Sequence, residues 1–139
     1  MSLELLKKVS DAQKKSAVVD VRSGDRVKVY QKIKEGGKER VQMFEGTVIR
    51  ISNKNSQTAR MTVRKTTSGV GVEKSYLLHS PQLEKIEIVR RSKVRRNSLN
   101  YLRERHGKSE RLKAVEFDRE SVNEIESAAE NSAEYEAKA

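Results

Sequence analysis

The 139-residue sequence has no cysteine, which removes disulfides, thiolate metal sites and thiol nucleophiles together and is compatible with a reducing compartment. It also has no tryptophan, and aromatic residues reach only 4%. That is too few for a platform on which single-stranded bases stack. Hydrophobic residues make up 35% and charged residues 36%, so the core must be thin and built from Val, Ile and Leu. No apolar run approaches the roughly 20 residues of a membrane span. The opening MSLELLKKVSDAQKKS carries Glu4 and Asp11 and no small-residue cleavage site after a long apolar stretch, so it does not read as a signal peptide. These absences point to the cytoplasm and away from a membrane.

Catalytic constellations are missing too. Gly69-Val70-Gly71 begins like a phosphate loop, but the third glycine of the pattern is replaced by Lys74 and no helix follows, so a turn between strands is the better reading. His79 and His106 stand far apart without cysteines or a helical histidine pair, which leaves no metal site. A triad of Ser80, His79 and Glu84 fails because adjacent Ser and His cannot make the base contact and no nucleophile elbow is present. The sequence therefore points to no enzyme, no cofactor and no small-molecule substrate.

What the chain does have is positive charge, unevenly placed. Residues 1–113 hold 28 basic and 12 acidic side chains, net +16, whereas residues 114–139 hold two and eight, net −6. The run RRSKVRRNSLNYLRERHGKSERLK, Arg90 to Lys113, contains ten Lys or Arg against two acids. Such a block repels itself in isolation and is useful beside a polyanion that replaces its counterions. Composition alone leaves DNA, RNA and an acidic surface open.

Patterning supplies the elements. Leu5, Leu6, Val9 and Ala12 recur at helical spacing after Ser2, which predicts an amphipathic helix over Leu3 to Lys14. From Val27 the period becomes two: Val27, Val29 and Ile33 alternate with lysines up to the turn at Gly36-Gly37. The return strand, ERVQMFEGTVIRI, changes register around Glu45-Gly46, which suggests a bulge or sharp bend there. RMTVRK, VGVEKSYLLHS and LEKIEIV complete five short strands with no helix between them. That arrangement argues for a strongly bent antiparallel sheet or a small closed barrel. After Val94 the period reads as helical, with Asn97 or Ser98 as cap, Leu99 and Leu102 inward and Gly107 as stop. The acidic stretch from Ala114 has few large apolar residues and reads as disordered, with a frayed helix near Val122 to Ala129.

Candidate phosphate contacts follow from charge density. Arg90, Arg91, Lys93, Arg95 and Arg96 put five cations within seven residues, where an extended chain tracks a backbone and Arg grips phosphate bidentately. Arg103, Arg105, Lys108, Arg111 and Lys113 continue the patch. Arg60, Arg64 and Lys65 form a second, weaker one that a solvated strand face explains equally well, and Lys74 and His79 complete the set of candidates. Tyr101 either stacks on a base or covers the core beside Leu99 and Leu102. With so few aromatics, the grooves and phosphates of folded RNA, read by shape, are the better fit.

Three segments in order, SGDRVKVYQKIKEGGKERVQMFEGTVI, TVRKTTSGVGVEKSYLLHSP and EKIEIVRRSKVRRNSLNYLRERHGK, closely resemble the bacterial ribosomal protein L nineteen family over about Ser23 to Lys113. FEGTVI corresponds to Phe44 to Ile49, GVGVEK to Gly69 to Lys74, LHSP to Leu78 to Pro81 and KVRR to Lys93 to Arg96. The resemblance implies a mainly β fold, a small SH3-like antiparallel barrel with short N-terminal and C-terminal helices, and a structural rather than enzymatic role. Together with the patterning, this divides the chain into an N-terminal helical extension (1–19), the barrel (20–91), a basic extension (92–113) and the acidic tail (114–139), the last lying outside the resemblance. It further implies binding to 23S ribosomal RNA and a place at the subunit interface with intersubunit bridges to small-subunit RNA. Neighbouring large-subunit proteins three and fourteen are the implied protein partners. Two other classes remain to be separated from this one: a regulatory SH3-like module that visits nucleic acid transiently, and, less favoured, an RNA-modifying enzyme.

Overall fold

The computed structural model describes residues 2–124. Ser2 caps the first helix, its hydroxyl accepting the Glu4 N–H at 3.2 Å, and α1 spans Leu3–Ala12. Five long strands follow: β1 (Arg26–Glu35), β2 (Lys38–Ser52), β3 (Arg60–Thr67), β4 (Val70–Leu77) and β5 (Leu83–Ser92). Gly36 and Gly37 both adopt positive φ, 55° and 81°, the conformation a two-residue hairpin turn requires, so Glu35 pairs with Lys38. All strand pairs are antiparallel, and the sheet order is β4-β3-β2-β1-β5-β6, where β6 is the short Ala114–Val115. The end strands β4 and β6 are not paired to each other, so the sheet is a curled half-barrel rather than a closed one. Lys74 of β4 reaches across the curl to Gln31 of β1 at 2.7 Å, and Phe44 and Tyr76 meet at 6.3 Å between ring centroids.

Val27 and Val29 point inward as expected and fill the main core with Val48 and Ile51 from β2, Met61 and Val63 from β3, and Ile86 and Ile88 from β5. The register change in β2 lies elsewhere than the Glu45-Gly46 pair suggests. β1 and β2 pair without interruption through Gly46, and the irregularity falls between Val48 and Arg50 on the β3 side. Gly46 is instead a point of close approach, where an added Cβ would stand 2.5 Å from the Arg64 carbonyl oxygen and 2.8 Å from Val63. The bulge at Ile49 sends Val48 and Ile51 into the main core and Ile49 to the opposite face. There, fully buried, it meets Leu99 and Leu102 in a second small cluster flanked by Val94, Tyr101 and Leu112.

Two further expectations are corrected beyond β5. The helix read after Val94 is one 3-10 turn, Asn100–Arg103, followed by another, Gly107–Glu110. Leu99 and Leu102 are both buried as expected, but their three-residue spacing suits the tighter turn, and no apolar position follows to carry a longer helix inward. Neither Asn97 nor Ser98 caps it. The acidic segment does not begin as a detached tail. β6 pairs with Arg91 and Ser92, Phe117 and Val122 pack on the main core, and residues 119–124 are helical. The Asn123 amide binds both Ile88 N–H (2.9 Å) and Ile88 C=O (3.2 Å), standing in for a neighbouring strand. The remainder of the predicted disordered stretch, 125–139, lies outside the described residues.

Candidate nucleic-acid interface

The basic stretch after β5 is a closed excursion on the outer face of the sheet. Its ends meet where Lys93 N–H donates to Lys113 C=O at 3.0 Å, and Arg90 donates to Leu112 C=O at 3.0 Å beside them. Its middle is fastened at three points. The Ser23 hydroxyl donates to Asn97 C=O at 2.5 Å, Leu99 N–H donates to Ile49 C=O at 2.9 Å, and Leu99 and Leu102 seat on Ile49. Gly24 makes room for this strap: its φ is +91°, and a Cβ there would lie 2.7 Å from Val94. Ordering a run of like charges costs free energy that the small outer core and these backbone hydrogen bonds offset.

The fifteen candidate residues separate into two groups. Arg60, Lys65, Lys93, Arg95, Arg96, Arg105, Lys108, Arg111 and Lys113 are exposed and ion-pair with no carboxylate among the described residues. Arg96 and Arg105 are nevertheless held in place, with their guanidiniums 5.7 and 4.5 Å from the Tyr101 ring centroid. Tyr101 thus flanks the outer core and offers its ring to the protein's own arginines.

The other six are engaged inside the protein. Glu73 accepts from Arg103 at 2.7 and 2.9 Å and from Arg64 at 2.9 Å. These bonds, Arg103 first, hold the Glu73 carboxyl below the usual carboxylate range, and Glu73 in turn raises the Arg103 guanidinium. Arg90 serves the strap, as described. Arg91 is 13% exposed and turns inward to the wholly buried Asp25 at 3.3 Å and to Asp20 C=O at 2.8 Å, with its guanidinium 5.4 Å from the Phe117 ring. Lys74 sits over Tyr76 at 5.2 Å, and burial pushes the Tyr76 phenol up to about 12. His79 Nδ1 accepts the Lys15 N–H at 3.2 Å, joining the exit of α1 to the turn before β5. Burial and the nearby Lys14 and Lys15 lower its pKa, so it is neutral at pH 7.

Sequence reasoning does not single out Arg26. It stands on β1 in an alternation of lysines and valines that reads as a solvated face, and only the fold brings it beside Arg64, Arg90 and Arg111. Charge at an outward strand position was the available signal; the convergence of four separate segments was not readable. Among the described residues no three His, Cys, Asp or Glu side chains group to hold a metal, and no helix is long and apolar enough to cross a membrane. The surface offers fixed cations on a rigid support.

Comparison with known proteins agrees with that arrangement. The family model described as "Ribosomal protein L19" matches residues 4–115. A large ribosomal subunit protein bL19 of Synechococcus sp. (strain JA-2-3B'a(2-13)) is 49% identical over 111 residues, 80% of this chain and 88% of the relative. The protein of the same name from Synechococcus sp. (strain JA-3-3Ab) is 45% identical over 119 residues, 86% of this chain and 93% of the relative. That of Mesomycoplasma hyopneumoniae (strain 232) is 52% identical over 92 residues, 66% and 75% respectively. By the extent of the family match and the identity to these relatives, the chain belongs to the ribosomal protein L19 family.

Proposed function

We propose that this chain is a structural constituent of the large ribosomal subunit that binds 23S ribosomal RNA and lies at the interface with the small subunit, contributing to intersubunit bridges and to translation. Its family is one of structural proteins rather than enzymes, and its relatives are named as large-subunit proteins. The observation that carries the RNA reading is the exposed run Lys93, Arg95 and Arg96, which ion-pairs with no described carboxylate and is held by the Ile49, Leu99 and Leu102 cluster at a fixed place on the half-barrel. Arg60, Lys65, Arg105, Lys108, Arg111 and Lys113 extend the same reading, and the cations engaged inside the protein (Arg64, Lys74, His79, Arg90, Arg91, Arg103) shape the surface that presents them. The SH3-like description of the barrel, contacts with small-subunit RNA and with the proteins numbered three and fourteen, and residence in the cytoplasm with the ribosome rest on the family resemblance.

Sedimentation after a high-salt wash tests the role. Stoichiometric co-migration with the large subunit is expected, whereas release with free factors would favour a transient regulatory module. Replacing Lys93, Arg95 and Arg96 with glutamine should lower the salt dependence of RNA binding by up to about one slope unit per lost contact. An unchanged slope removes these side chains from the interface.

A further inference from the structure

We propose that a recess ringed by Arg26, Arg64, Arg90 and Arg111 seats one backbone phosphodiester of the bound RNA; this rests on the RNA-binding reading and names a particular contact within it. The four arginines come from β1, β3, β5 and the chain just after the second 3-10 turn, and they line one cavity of about 320 Å³. Leu102 and Leu112 contribute apolar wall, while Thr47 and Ser92 add hydroxyls. The volume falls at the small end of ligand pockets, which suits a phosphate with its flanking sugar oxygens rather than a base platform.

The guanidiniums are positioned but not used up. A guanidinium has five N–H donors. Arg26 spends Nε on Glu45 at 2.8 Å, Arg90 spends one terminal nitrogen on Leu112 C=O, and Arg64 spends another on Glu73. Arg111 makes no side-chain contact with a described acceptor. The Arg64 side chain is 15% exposed, and its Nε is buried with no hydrogen-bond partner among the described residues. Gly71 makes room for the Arg64 guanidinium, with which an added Cβ would collide.

The charge balance selects the ligand. The lining includes one carboxylate, Glu110, while Glu45 and Glu73 lie behind as ion-pair partners and Glu73 is shared with Arg103. Five arginines against three glutamates leave +2, enough for a singly charged phosphodiester. The recess adjoins the strap that carries Lys93, Arg95 and Arg96, so a backbone following those cations passes its mouth.

The test uses the full chain and a 23S ribosomal RNA transcript whose phosphates are sparsely ethylated, with the bound fraction mapped position by position. For the wild type, ethylation at a small set of phosphates should block binding. Arg64→Lys, which keeps charge but loses the fork, and Arg111→Gln, at an exposed site, should each lose sensitivity at the same one or two positions. Both should bind the unmodified transcript about tenfold more weakly. If Arg64→Lys fails to fold, judged by circular dichroism, Arg111→Gln decides alone. Wild-type binding with an interference map unchanged in the variants overturns the recess and leaves the RNA reading standing. A wild type that does not bind the transcript overturns both readings.

Discussion

Replacing Arg91 with methionine isolates the charge that the fold has turned inward. Asp25 is fully buried, and its Oδ2 accepts from Arg22 N–H at 3.0 Å and from Arg91 at 3.3 Å, while Oδ1 has no partner among the described residues. Methionine retains much of the side-chain volume and removes the guanidinium, leaving a buried carboxylate without a counter-charge, at a cost of about 3–5 kcal/mol. With a urea dependence of about 1–3 kcal/mol per molar, the unfolding midpoint should fall by roughly 2 M. The loss must also depend on pH. Burial already raises the Asp25 carboxyl above its ordinary value, opposed by its bonds to Arg22 and Arg91, and losing Arg91 raises it further. A carboxyl that titrates higher in the folded than in the unfolded chain takes up a proton on folding, so stability rises as pH falls through the window between the two values. The cost of R91M should therefore be greatest near neutrality and shrink as the medium is acidified towards the ordinary carboxylate range. Urea unfolding followed by circular dichroism across pH measures this, with D25N and the D25N/R91M double variant alongside. The double variant should recover much of the loss, except for about 0.5–1 kcal/mol from the Arg91–Phe117 contact and about 0.5–1.5 kcal/mol from the lost hydrogen bond to Asp20 C=O. A cost below about 1 kcal/mol, a cost flat in pH, or a double variant no better than R91M would refute the reasoning.

Two other perturbations probe the outer face and the C-terminal cover. Ile49→Ala should cost about 2–5 kcal/mol and speed hydrogen exchange at the Leu99 amide, which bonds to the Ile49 carbonyl; an unchanged exchange rate there would mean that the strap is held by something else. A chain ending at Lys113 should be less stable than one ending at Glu124 by about 2–3 kcal/mol, because Phe117 and Val122 leave the core and Asn123 leaves Ile88. Equal urea midpoints for the two truncations would show that the segment adds nothing.

Strands such as β3 were legible because they are half-buried, Met61 and Val63 alternating with Arg60, Thr62 and Arg64, and Gly36-Gly37 marks a tight turn; β4, where only Tyr76 is buried, alternates less cleanly. The bulge was legible only as to its strand. Glycine drew attention to position 46, where its smallness serves a close approach, whereas the residue that breaks the pairing is Ile49, an ordinary strand former. The C-terminal cover was hidden because Phe117, Val122 and Asn123 are spread through an acidic stretch whose mean composition resembles a disordered chain. Charge density located the basic surface, but density is blind to partners. Arg91 and Arg95 look alike in sequence, yet one is tied to Asp25 and the other faces solvent.

The irregularity at Ile49 makes chain length at that point as constrained as residue identity. A strand with strict alternation serves one hydrophobic compartment on each face in turn, and Val48, Ile49 and Ile51 would then divide between them differently. Deleting one residue between 48 and 50 would restore regular pairing and reverse which side chains look inward, emptying one compartment and crowding the other. Inserting residues in the polar 53–58 loop carries no such penalty. Among sequences of this architecture, gaps should gather in that loop and be excluded from the three residues that let one strand hold both the barrel and its basic strap.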